Sequence, residues 1–118
     1  MNNLRNSVKL IGRLGMDPEV QEFKEGRKMA RFTLATNENY KNKTGEWVTN
    51  TTWHKVIAWG NSAALCERIL NKGKEIMLEG KLVNSSFENK KGDKVYVTEV
   101  ELDSFISLSK EKSNQIKA

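Results

Sequence analysis

The sequence predicts an all-β fold, a small five-stranded barrel with one helix between the third and fourth strands. Two observations predict it. Runs of β-branched and aromatic residues with period-two alternation are separated by polar, glycine-bearing turns, and only the stretch after Gly60 carries the i, i+3, i+4 spacing of a helix. The 118 residues hold one domain, over 1–108, that buries roughly two-thirds of its unfolded surface, followed by a short polar tail over 109–118.

The first strand runs from Ser7 to Leu14, with Val8 and Leu10 alternating with Lys9 and Ile11 before Gly12 and Gly15 release the chain. Gly15-Met16-Asp17-Pro18 turns it into a short extended piece, Glu19 to Phe23. Lys24-Glu25-Gly26 leads to the second strand, Met29 to Asn37, with Phe32 and Leu34 on one face and its end near Tyr40. Lys41 to Gly45 is a polar, mobile hairpin loop with Trp47 on its far side. The third strand is T-T-W-H-K-V-I-A-W-G. After Gly60, Asn61 caps a helix with apolar Leu65, Cys66, Ile69 and Leu70, and Gly73 lies just past its end.

Glu75 to Phe87 forms the fourth strand, with Ile76, Leu78 and Leu82 on the core face and Glu79, Lys81, Val83 and Phe87 on the other. Glu88 to Asp93 is a charged tip. Lys94 to Ile106 returns with Thr98, Val100, Leu102 and Ile106 inward. This order fits an OB barrel, whereas SH3-like barrels lack a helix at that place. Lys110 to Ala118 reads as a polar tail.

Trp53 and Trp59 are six residues apart, so Trp53, Lys55, Ile57 and Trp59 share one strand face and His54, Val56 and Ala58 the other. Two arrangements satisfy that pattern: core tryptophans with Lys55 snorkelling to solvent, or a platform whose π-faces take bases while the lysine meets phosphate. His54, of opposite parity, faces the core or a subunit contact. Cys66 is the only cysteine, which excludes an internal disulfide and a cysteine-cluster zinc site within one chain. It reads as a small buried residue. Glu99, Glu101 and Asp103 at i, i+2, i+4 could hold Mg²⁺ for phosphodiester cleavage, but a solvated strand face accounts for them without a cofactor. No P-loop, dinucleotide fingerprint or catalytic triad order accompanies them, so neither an enzyme nor a cofactor is expected.

A net charge of +5 favours polyanionic partners. The first residues contain no uninterrupted apolar segment and no run approaches membrane-spanning length, so a cytoplasmic, nucleoid-associated protein without membrane contact is expected.

Four stretches carry a resemblance: V-K-L-I-G-R-L-G-M-D-P-E-V from Val8, F-T-L-A-T from Phe32, T-W-H-K-V-I-A-W-G from Thr52 and L-E-G-K-L from Leu78. Together with K-V-Y-V-T-E-V from Lys94, they resemble the bacterial single-stranded DNA-binding protein family, in register from Asn6 to about Ile106. The resemblance implies an OB fold, a homotetramer, and binding of single-stranded DNA during replication, recombination and repair. It favours the platform. The family's four stacking positions fall on Tyr40, Trp53, Trp59 and Phe87, of which Tyr40 and Phe87 stand where tryptophan is common. Lys55 is the best phosphate contact, followed by Arg31, Lys41, Lys43, Lys72, Lys74, Lys81, Lys90 and Lys91. At His54 the resemblance implies a place near the subunit interface.

Members of the family commonly continue into an acidic tip ending in Pro-Phe that recruits replication and repair enzymes. This sequence stops at S-N-Q-I-K-A, so enzyme partners stay unassigned. An accessory subunit making mainly protein contacts is the alternative, and the four aromatic residues argue against it.

Overall fold

The computed structural model describes residues 5–109, so the polar tail expected at Lys110–Ala118 lies outside the described residues. Along the chain run β1 (Val8–Leu14), β2 (Glu19–Glu22), β3 (Lys28–Lys41), β4 (Trp47–Trp59), α1 (Asn61–Ile69), β5 (Glu75–Glu88) and β6 (Lys94–Ser107). The sheet order is β1-β5-β6-β4-β3-β2, and an additional β1–β3 pairing closes five of the strands into a barrel. The short extended piece expected near Glu19 is β2, which adds to the outer edge of β3. The helix lies between the third and fourth barrel strands, as predicted.

Phe32, Leu34, Val56, Ile76 and Leu78 fill the interior, and Ala63 and Cys66 of α1 pack onto it from the β3–β4 side. Gly12 does not release the chain. It lies inside β1 at the barrel seam, where Arg13 and Leu14 pair with Ala35 and Leu34, and a Cβ there would overlap the Ala35 carbonyl oxygen.

Asn61, expected as the helix cap, is the first helical residue instead. Gly60 is the cap, with φ 62° and no side-chain capping bond, and its carbonyl accepts the Ala64 N–H at 3.0 Å. The chain must turn sharply there because the Gly60 N–H is still tied to the Lys28 carbonyl at the end of the β3–β4 ladder, and glycine reaches that positive φ without a steric penalty. At the other end, the Lys74 ammonium donates to the Ile69 carbonyl at 3.1 Å, a cation placed at the negative end of the helix.

The inward set expected on β5 and β6 is corrected in two ways. Gly80 pairs with Leu102 but Glu79 pairs with Ser104, so Asp103 is the extra residue of a β-bulge. The bulge inverts the alternation after it: Phe105 packs against the core while Ile106, expected inside, is 54% exposed. Leu82 and Thr98 are also exposed: the pairing of β1 with β5 ends at Gly80 and that of β4 with β6 at Val100, and past these the two strands run on as a projecting hairpin arm. No described helix is long and apolar enough to cross a membrane.

Two outcomes follow for stability. Gly12→Ala forces the seam apart and costs about 1–3 kcal/mol, read as a lower urea midpoint; an unchanged midpoint would mean that the seam has room for a methyl group. Burial pushes the Cys66 thiol up from 9.0 to about 11. The unfolded chain therefore loses its proton first, and stability falls as pH rises through the interval between those two values. Cys66→Ala removes that component, which paired unfolding curves across the interval detect.

Candidate nucleic-acid interface

The β3–β4 ladder sets Arg31, Thr33 and Ala35 opposite Ile57, Lys55 and Trp53, so all six share one face. Trp53 is 60% exposed and Lys55 is exposed beside it, which excludes the core-tryptophan arrangement for Trp53. Its ring lies against the bend that follows β1: a Cβ on Gly15 would overlap the six-membered ring and come within 2.8 Å of Thr33 Oγ1. The missing side chain at Gly15 thus sets where the indole rests.

Trp59 has the same parity but different surroundings. It is half-buried and stacks on Phe23 with centroids 6.1 Å apart and planes at 24°. The Arg27 guanidinium sits 4.8 Å from the Trp59 ring centroid and 5.5 Å from that of Phe23. The β2–β3 turn therefore clamps Trp59, and part of its π-surface is already occupied.

β4 and β6 pair, in parallel, at Val56–Val100 and Ile57–Glu101, and beyond that contact the β3–β4 and β5–β6 arms diverge. A hollow of about 500 Å³ opens between them, lined by Arg31, Thr33 and Lys55 on one side and Ser85, Phe87 and Glu99 on the other. An adjoining hollow of about 340 Å³ is lined by Trp53, His54, Leu82 and Thr98, and Lys55 and Val97 border both. Phe87 is 53% exposed on the far wall. Lys55, on the border of both hollows, thus stands between Trp53 in one and Phe87 in the other.

Tyr40 is not gathered with them. It pairs with Val48 on the opposite face of the arm, the face of Thr36 and His54. His54 is half-buried, with its Nε2 3.0 Å from Thr36 Oγ1, and leaves the strand on the face opposite Trp53, as its parity predicts, although both residues border the smaller hollow.

The cleft's charges are mixed. Arg31 Nε lies 3.5 Å from Oε2 of Glu99, a buried carboxylate in the cleft lining, so part of the Arg31 charge is already countered. Lys81 pairs across the β5–β6 ladder with Glu101. Lys90 and Lys91 sit in the β5–β6 turn, built on Asn89 Oδ1 accepting the Lys91 and Asp93 N–H groups. Lys41 and Lys43 flank the equivalent turn at Asn42, whose Oδ1 accepts from the Thr44 and Glu46 N–H groups. Lys72 is exposed in the turn after α1, its N–H bonded to Asp17, and does not line the cleft. Lys74, a candidate phosphate contact from sequence, is 6% exposed beneath the helix end and is corrected to a structural residue.

The bulge takes Asp103 out of step with Glu99 and Glu101. Among the described residues no group of His, Cys, Asp or Glu is arranged to hold a metal ion. Sequence reasoning missed the Arg27–Phe23 clamp, which only the hairpin's fold brings onto Trp59. It also missed Trp47, 69% exposed, although its even separation from Trp53 was a usable signal.

A small closed barrel with this helix placement defines an OB-fold protein, and its cleft carries exposed aromatic rings beside charges of both signs. The chain belongs to the Single-strand binding protein family, whose profile matches residues 5–108. It is 45% identical over 96 residues to Single-stranded DNA-binding protein 1 of Chlorobaculum tepidum, an alignment covering 80% of this chain and 59% of that protein. The chain thus matches somewhat under two-thirds of that relative's length. A solved structure described as a Plasmodium falciparum SSB complex with ssDNA is similar at a TM-score of 0.78 and 30% identity, covering 92% of this chain and 100% of that one.

Removing the clamp has a direct readout. Arg27→Ala uncovers Trp59, raising acrylamide quenching of tryptophan emission and lowering stability by about 0.5–1 kcal/mol. Unchanged quenching would show that the guanidinium does not cover the indole in solution.

Proposed function

We propose that this chain binds single-stranded DNA with little sequence preference, stacking bases on Trp53 and Phe87 and holding phosphates with Lys55. The observation that carries the proposal is the pair of adjoining hollows, one with an exposed indole and the other with an exposed phenyl ring, and the Lys55 ammonium on the border of both. Flat π-faces accept every base, and cations beside them follow the backbone, so affinity does not depend on base identity. The names of the Chlorobaculum relative and the Plasmodium complex support the same ligand.

Trp59 contributes the part of its ring that Arg27 and Phe23 leave open, and Tyr40 engages a strand passing to the other face of the arm. Arg31 and Lys81 border the phosphate path, and Lys41, Lys43, Lys90 and Lys91 extend it along the two hairpin tips. The protein acts without catalysis, shielding single strands during replication, recombination and repair. It works as a homo-oligomer, a tetramer by family resemblance. Ile11, Met77 and Ile106 support assembly: they lie in register across β1, β5 and β6 as an exposed apolar stripe of the kind that marks protein contacts. His54 lies near a subunit contact on the face turned from Trp53.

Titration with poly(dT) and with duplex DNA at several salt concentrations, followed by tryptophan fluorescence, tests the proposal. Poly(dT) quenches strongly and duplex little. The log of affinity falls with log salt by about 0.7 per phosphate contact. Trp53→Ala costs about 1–3 kcal/mol of binding. Preference for duplex, or binding indifferent to Trp53, overturns it.

A further inference from the structure

The β3–β4 arm continues past the cleft and ends in a tryptophan that the cleft does not use. Trp47 is 69% exposed and pairs with Lys41, whose ammonium lies 5.4 Å from the indole ring centroid. Six residues separate it from Trp53, so both indoles leave the same face of the arm. At about 3.4 Å per residue they are about 20 Å apart along the strand.

The face between them is polar and uncharged. The Thr51 and Thr49 hydroxyls donate to Asn37 and Asn39 Oδ1 at 2.7 and 2.8 Å, forming a cross-strand ladder. Glu38 lies on the opposite face, paired with Asn50, so no carboxylate of the two strands interrupts the path. One exposed indole alone is unremarkable on a protein surface. An indole aligned with Trp53, carrying an ammonium and joined to the cleft by hydrogen-bonding groups, has the composition of a single-strand track.

We infer that Trp47, with Lys41, is a further base-stacking position, and that a strand leaving the cleft runs along the outer face of the β3–β4 arm to reach it. This rests on the cleft being a single-stranded DNA site. The track makes affinity depend on strand length: a short oligonucleotide occupies the cleft alone, and a longer one gains the arm.

The test uses the whole chain and two oligothymidylates, of about 4 and about 16 nucleotides, the range a single OB fold spans. Trp47→Ala weakens the longer one by about fivefold or more, the lower limit for one stacked base, and leaves the shorter unchanged. Trp47→Phe keeps the long-strand affinity while removing the Trp47 share of the fluorescence quenching. Trp53→Ala weakens both lengths.

If Trp53→Ala acts on both lengths but Trp47→Ala on neither, the arm carries no track and the cleft stands. Equal losses on both lengths in Trp47→Ala, accompanied by a lower molecular mass, overturn the track in favour of a subunit contact. Indifference of both lengths to Trp53→Ala overturns the cleft and the track with it.

Discussion

The seam between β1 and β3 is the constraint on which the rest of the molecule depends. β1 pairs with β5 over most of its length and reaches β3 at Arg13 and Leu14, and that contact turns an open sheet into a barrel. The approach brings the backbone of Gly12 so near the Ala35 carbonyl that no side chain fits. Closure also fixes how much strand the barrel can hold. β1 has 7 residues, whereas β3, β5 and β6 each have 14, so the excess length must project as paired arms.

The cleft follows from that excess. The arms leave the barrel on either side of the brief β4–β6 contact, and the hollows open where they part. Trp53 rests against the bend at Gly15, where the absent side chain leaves room for the indole. Glu99 is a buried carboxylate in the cleft lining. Its contact with Arg31 holds the guanidinium at the cleft's border, and half of the Arg31 side chain stays exposed. Arg27 acts in a comparable way on Trp59, fixing the ring and covering part of its π-surface.

Two surfaces of the arm carry different chemistry because its strands alternate. The Trp53 face is polar with indoles at both ends, and the opposite face bears Tyr40, Thr36 and His54. Under the proposed function, a strand confined to one face would miss Tyr40, and contact with both faces requires it to pass around the arm or between subunits. The apolar stripe of Ile11, Met77 and Ile106 lies on a separate surface formed by β1, β5 and β6, so assembly there need not compete with the cleft.

The succession of strands and one helix along the chain, the parity that separates Trp53 from His54, and the outward-facing Phe87 were all legible in the sequence. Each depends on local periodicity, which neighbouring residues impose on one another. The inward place assigned to Ile106 failed because a one-residue bulge at Asp103 inverts the pattern, and only the pairing of β6 with β5 reveals it. Lys74 looked like any surface lysine until the fold set it beneath the end of α1. The clamp on Trp59 joins residues more than 30 positions apart through a hairpin turn. Side-chain alternation along a strand is a property of the chain alone, so the sequence determined which residues could share a face. Which faces meet depends on where the barrel closes and where its arms part, and those distances arise only when distant backbones pack.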